Sequence, residues 1–231
     1  MVCINCKYEH DSNFCPNCGE RSEVPRITFK SIFSNGLSTI TNMNKGFLFN
    51  VKHLCLNPNG IVNDFLKGKR KSIFNPMSFL IIALTVYLIV DAMIVVKANV
   101  SGNKINPKIY GVGYEAGRFM KLYLKYFWIL SIIWLSVSTK LLFGKYNYAE
   151  HLAINSFVMG QSILVGLVSF VITKLNLLFN PFVYISIIWI TYQTFKRKKR
   201  DLNAFFQSVG STLLFFIQLV IIVVLIGILR S

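Results

Sequence analysis

Four of the five cysteines fall within the first eighteen residues, as Cys3-x2-Cys6, eight residues, then Cys15-x2-Cys18-Gly19. Two C-x2-C pairs supply four thiolates, the donor set of a tetrahedral all-cysteine zinc site. Each tight turn aims two sulfurs at one ion, and Gly19 relieves crowding where amides turn toward the sulfurs. Four thiolates leave no open coordination position, so the expected Zn2+ is structural rather than catalytic. A unit of about twenty residues builds no hydrophobic core, so metal must stabilise its fold. Two disulfides would need an oxidising compartment, and iron–sulfur clusters usually take other spacings. His10 is redundant beside four cysteines, and Cys55 is most simply a small apolar residue.

Little else in the chain suits acid–base chemistry. Three histidines and nine acids are spread over 231 residues. The H-E-x-x-H, phosphate-loop and G-x-S-x-G patterns are missing. Glu150 and His151 are adjacent, so on a helix they point about 100° apart. No catalytic residues are assigned.

The elements that carry these residues follow from composition. The chain is 54% hydrophobic and only 15% charged, yet its net charge is +16. Disorder needs low hydrophobicity, and a soluble nucleic-acid binder does not carry apolar residues in long blocks. The pattern is that of a polytopic all-α membrane protein with basic loops. Residues 1–24 form the zinc ribbon, residues 25–76 amphipathic juxtamembrane helices, and residues 77–231 the helical transmembrane domain. About five spans are expected, at 77–96, 122–143, 152–173, 178–195 and 205–229. The fourth is the weakest, because Asn180-Pro181 sits near its start.

Ten of the 25 Lys and Arg residues precede the first span, among them Lys67, Lys69, Arg70 and Lys71. Five more form the run Lys196, Arg197, Lys198, Lys199 and Arg200. Five spans place both groups on one side, and the positive-inside rule makes that side cytoplasmic. The amino terminus is then cytoplasmic as well. The lysines of residues 97–121 fall outside and blur the rule. Stripes such as Phe29, Phe33, Leu37 and Ile40, accompanied by lysines, suit either the headgroup boundary or packing on the bundle. Anionic lipid headgroups of the bilayer are therefore expected partners. The ribbon's charges nearly cancel, with Lys7, Arg21 and Arg26 against Glu9, Asp11, Glu20 and Glu23, so no nucleic-acid partner is expected.

Polar residues inside spans invite functional readings. Asp91, Glu150, His151, Asn155 and Gln161 are candidates for a polar path through the bundle. The simpler reading is helix–helix hydrogen bonding.

The motifs in combination resemble a family. Phe14-Cys-Pro-Asn-Cys-Gly19 leads to Arg26-Ile-Thr-Phe29, Asn44-Lys-Gly-Phe47, Asn57-Pro58, Gly68-Lys-Arg-Lys71 and Asn75-Pro-Met-Ser-Phe79. Tyr148-Ala-Glu-His-Leu152 then opens the third span. The chain resembles the bacterial membrane proteins of domain-of-unknown-function family 3667. That resemblance implies a ribbon-plus-bundle architecture in the inner membrane and no established activity. Where a His-rich third span is common in that family, this chain has Asn155, Ser156 and Gln161. The expected function is a non-enzymatic membrane component whose ribbon and interfacial helices dock a cytosolic protein or a second copy. The alternative is a small transporter, channel or lipid-handling protein.

Overall fold

The computed structural model describes residues 1–22, 27–28, 46–70, 73–98, 128–175, 177–198 and 200–230. Among the described residues, seven α-helices follow the amino-terminal cysteine unit: α1 (Gly46–Leu56), α2 (Pro58–Leu66), α3 (Pro76–Ala98), α4 (Trp128–Phe143), α5 (Tyr148–Thr173), α6 (Pro181–Phe195) and α7 (Leu202–Arg230). The helices α3, α5 and α7 are long and apolar enough to cross a membrane. At 15 residues, α6 extends about 22 Å at 1.5 Å per residue, short of a bilayer core. The apolar helix α4 is described from Trp128 onward, so the start of the expected second span lies outside the described residues, as does the lysine-bearing stretch 99–121.

Asparagine starts most of these helices. Asn57, Asn75 and Asn180 each precede a proline, and each side-chain oxygen accepts a backbone N–H from the first turn: Gly60 at 3.1 Å, Met77 at 3.0 Å and Phe182 at 3.1 Å. Asparagine favours the cap, and proline at the next position gives up an amide that would lack a partner anyway. The expected third span begins four residues earlier than the apolar pattern shows. Asn147 and Glu150 form a capping box there, each side chain taking the other's backbone N–H at 2.7 Å. The expected fourth span starts late, at Pro181, after a short 3-10 turn over Leu177–Phe179.

Helix α5 is the axis of the bundle. It packs against α3 and α6, and α6 packs against α7. Every residue from His151 to Ile163 is buried. A helix encased on all sides needs no polar stripe, so its polar side chains point to several neighbours. On the α3 side Gly160 lets Phe79 lie against the α5 backbone. Phe79 in turn contacts the rings of Phe47 and Phe157, at centroid distances of 5.2 and 6.1 Å. Conversely, α7 exposes Phe206, Leu213, Ile217, Ile221 and Leu225 along its length. Apolar exposure on that scale suits a lipid-facing helix.

The juxtamembrane helices pack on the bundle. Ile61, Val62 and Phe65 of α2 are buried, and Phe65 meets Phe157 of α5 edge-on at 5.6 Å. Asn59 Nδ2 donates to the carbonyl of Thr194 at the end of α6. Buried Asn50 of α1 clamps the segment entering α3: its Nδ2 donates to the Phe74 carbonyl at 3.1 Å, and its Oδ1 accepts the Phe74 N–H at 3.2 Å. By contrast, Leu48 and Leu56 of α1 are exposed. The stripe from Phe29 to Ile40 lies outside the described residues.

Candidate metal centre and buried polar residues

The cysteine unit is a doubled structure. Residues 1–10 and 13–22 repeat the same hydrogen bonds twelve positions apart. Cys3 N–H donates to Tyr8 O at 2.9 Å, and Cys15 N–H to Glu20 O at 2.8 Å. Lys7 N–H closes a turn on Cys3 O at 3.1 Å, and Gly19 N–H one on Cys15 O at 2.7 Å. Antiparallel bridges join Val2 to Glu9 and Phe14 to Arg21. Each turn ends in the left-handed region, at Lys7 with φ 64° and Gly19 with φ 69°. The repeat is legible afterwards in Cys-x-Asn-Cys at positions 3–6 and 15–18; the sequence reading saw the cysteines and not the period. Glycine meets the left-handed demand of the second turn without strain, whereas Lys7 bears it with a side chain.

The two turns face one another. The four sulfurs lie within 4.8 Å of one another, with Cys3 to Cys18 and Cys6 to Cys15 each at 3.5 Å. A tetrahedral ion with metal–sulfur bonds of about 2.3 Å sets sulfurs about 3.8 Å apart, so the site fits one such ion. Cys3 and Cys15 are buried. The backbone amide of Cys6 favours the Cys3 thiolate and brings its pKa down to about 6, the form a metal ligand needs.

Contacts place this unit beside the juxtamembrane helices. Asn5, in the first turn, lines a cleft with Phe49 and His53 of α1 and Asp64 of α2. Glu20, which follows the second turn, is buried, and its carboxylate opposes the lowering of the Arg70 pKa that burial causes. The Arg70 guanidinium lies over the Phe65 ring, 5.6 Å from its centroid.

The expected polar path divides. His151 and Asn155 turn to α4: His151 Nδ1 and Thr139 Oγ1 are hydrogen-bonded at 3.1 Å, and Asn155 Nδ2 donates to Thr139 Oγ1 at 2.8 Å and Ser136 Oγ at 3.1 Å. The His151 ring stacks on Phe195 at 5.5 Å. Gln161, six residues on, turns to α1 and donates from Nε2 to Cys55 Sγ at 2.8 Å. Ser162 donates to Ser186 of α6 at 3.2 Å. Glu150 serves the α5 cap. Asp91, one-third of a helix from the far end of α3, is half-buried. Nothing in the sequence pattern marks Thr139, Ser136 or Ser186 as partners, and Asn180 stands out only as a weak point of the fourth span. Asn180 ties α6 to α5, donating to Gly166 O at 3.3 Å and accepting from Ser169 Oγ at 3.1 Å.

The basic clusters share one end of the bundle. Tyr146, in the α4–α5 turn, donates from its hydroxyl to Asn63 of α2 at 3.4 Å. Gln207, near the start of α7, donates to Leu142 O at 3.0 Å. With the Asn59–Thr194 bond, these put Lys67, Lys69 and Arg70 on the same side as Lys145, Lys196, Arg197, Lys198 and Arg200. Lys69 pairs with Asp64 at 3.1 Å, and Lys196 Nζ lies 5.7 Å above the Tyr192 ring. Arg197, Lys198 and Arg200 are exposed. Lys71 and Lys199 lie outside the described residues.

Residues 44–88 match the model of a family described as protein of unknown function (DUF3667). The resemblance drawn from the motifs holds over that segment, which spans α1, α2 and half of α3. No curated protein and no solved structure matches the chain.

Proposed function

We propose that this chain is a non-enzymatic inner-membrane protein whose amino-terminal unit holds one structural Zn2+ and docks a cytosolic protein or a second copy. The observation that carries the reading is the convergence of four cysteine sulfurs beside the basic end of an apolar helix bundle. All-cysteine coordination fills every position of a tetrahedral ion, which suits a fold-holding role and no reaction. The positive-inside rule makes the basic end cytoplasmic, which places the thiolates in a reducing compartment where they stay available to metal. Val2, Tyr8 and Phe14 are exposed on the unit, and exposed aromatic and aliphatic side chains are what a protein contact buries. The division of the polar residues among α1, α4 and α6 is what interhelical hydrogen bonding produces, and it favours a scaffold over a transport path.

The test is cross-linking and co-purification of the full chain from membranes, compared with a chain lacking residues 1–22. The reading expects a defined partner, or a dimer band, that is lost with the deletion while the bundle still accumulates in the membrane. The same partners recovered with the truncated chain would overturn it.

A further inference from the structure

The basic end contains a cleft that neither the metal unit nor the buried polar residues use. It measures about 510 Å³ and lies between the α4–α5 turn, the α6–α7 loop and the first turns of α7. Four cations line it: Lys145, Arg197, Lys198 and Arg200. Phe143 and Phe195 form an apolar wall, their rings stacked at 4.1 Å and 13°. None of the four cations forms an ion pair among the described residues.

One acid, Asp201, also lines the cleft, close enough to interact electrostatically with Arg197 and Lys198. Its two oxygens accept the Ala204 and Arg197 backbone N–H groups, each at 3.1 Å. Those bonds cap α7 and fold the 197–201 loop, so Asp201 sets the backbone that presents the cations. The amides of Arg197 and Ala204 are thereby satisfied, and the attraction for an anion rests on the side chains. Four cations and one carboxylate leave the cleft with a net charge of +3. Leu202, which lines the cleft, and Phe206 beside it are exposed at the start of the lipid-facing side of α7.

We propose that this cleft binds the phosphate of an anionic phospholipid. Clustered cations recognise the phosphoryl oxygens by charge-assisted hydrogen bonds, and basic pockets between membrane helices suit such headgroups. The apolar wall and the neighbouring exposed residues of α7 give the glycerol and acyl portions a surface to lie on. Inorganic phosphate shares the charge chemistry and gains nothing from the apolar wall. The volume falls within the roughly 300–1,000 Å³ of small-molecule sites.

The experiment uses the purified full chain in neutral detergent, with native mass spectrometry and thermal melting as readouts. Phosphatidylglycerol, phosphatidylcholine and inorganic phosphate are titrated separately. The double variant Lys145→Gln/Arg197→Gln is compared with Lys52→Gln/Lys67→Gln, which removes two exposed charges outside the cleft. Surface positions are chosen, and unchanged circular dichroism and elution confirm folding. Phosphatidylglycerol should bind the wild type in preference to phosphatidylcholine. Loss of two cleft cations should weaken it roughly 25-fold, at about fivefold per cation near a membrane surface. The control pair should lose less than about threefold, because exposed charges that do not line the cleft act on its ligand only through screened solvent. Equal losses in both doubles would overturn a discrete site in favour of diffuse attraction. Phosphatidylcholine binding as tightly would overturn the anion, and inorganic phosphate stabilising the chain as strongly would overturn the lipid.

Discussion

Gly160 offers a perturbation whose outcome follows from geometry. A Cβ placed there would stand 2.6 Å from Phe79 Cδ1, 2.9 Å from Cε1 and 3.3 Å from the Leu80 Cα. Comfortable carbon contacts begin near 3.5 Å, so about 1 Å must be found. Phe79 has little freedom to supply it, being fully buried between Phe47 and Phe157. The Leu80 backbone resists a slide of α3 as well. Overpacking of this kind costs about 1–3 kcal/mol. Alanine also gains about 1 kcal/mol of helix propensity over glycine, which would mask part of the loss. Gly210 of α7 supplies the reference, since a Cβ there meets only Leu142 Cδ1, at 3.4 Å. Propensity cancels in the comparison of Gly160→Ala with Gly210→Ala. The first should melt lower than the second by the overpacking cost alone, roughly 2–4 °C per kcal/mol for a chain of this size. Melting of both variants in one detergent, followed by near-ultraviolet circular dichroism, makes the measurement. Equal melting temperatures would refute the close α3–α5 approach.

Other outcomes rest on single residues. Asn50→Leu strips both partners from the buried Phe74 backbone and should destabilise by about 2–6 kcal/mol, at 1–3 kcal/mol for each unsatisfied group; a chemical unfolding curve like the wild type's would count against the clamp. Asn155→Leu removes the bonds to Ser136 and Thr139 and should cost about 1–2 kcal/mol, the range for interhelical hydrogen bonds in membranes, without changing membrane insertion; a variant as stable as the wild type would mean that the α4 contact contributes nothing. The Ala204 and Arg197 N–H groups hold the Asp201 pKa below the usual carboxylate range. Its stabilisation is therefore present above the unfolded value of about 3.9 and is lost as pH falls through the lower folded value. Wild type should exceed Asp201→Asn in stability at pH 7, with the gap closing below about pH 4; a gap independent of pH would contradict the capping role.

What the sequence revealed depended on how local the determining physics is. The cysteine spacing sits within eighteen residues, and two turn-closing pairs leave their sulfurs one place to go. The spans of α3, α5 and α7 are legible because membrane crossing is a matter of length and apolar composition. Asn180-Pro181 marks the weakest span, as expected, but through capping: the dipeptide is the cap and first residue of a helix that is 15 residues long. The polar residues of α5 were grouped by type, whereas their partners depend on which neighbour each face meets. His151 and Asn155 are four residues apart and share α4, while Gln161 is displaced by six and reaches Cys55 instead. The Asn50–Phe74 clamp joins residues 24 apart, and no local pattern announces such a pair. The cleft between α4, α6 and α7 was equally hidden. Its run of cations was evident, but Lys145 and the Phe143–Phe195 wall come from elements distant in sequence.

The metal content of the purified full chain tests the central claim most directly. Elemental analysis of protein prepared without added metal should find one zinc per chain. Cys15→Ser/Cys18→Ser, with half the thiolates gone, should hold none. Wild-type protein without stoichiometric zinc, or zinc retained by the double variant, would contradict the account.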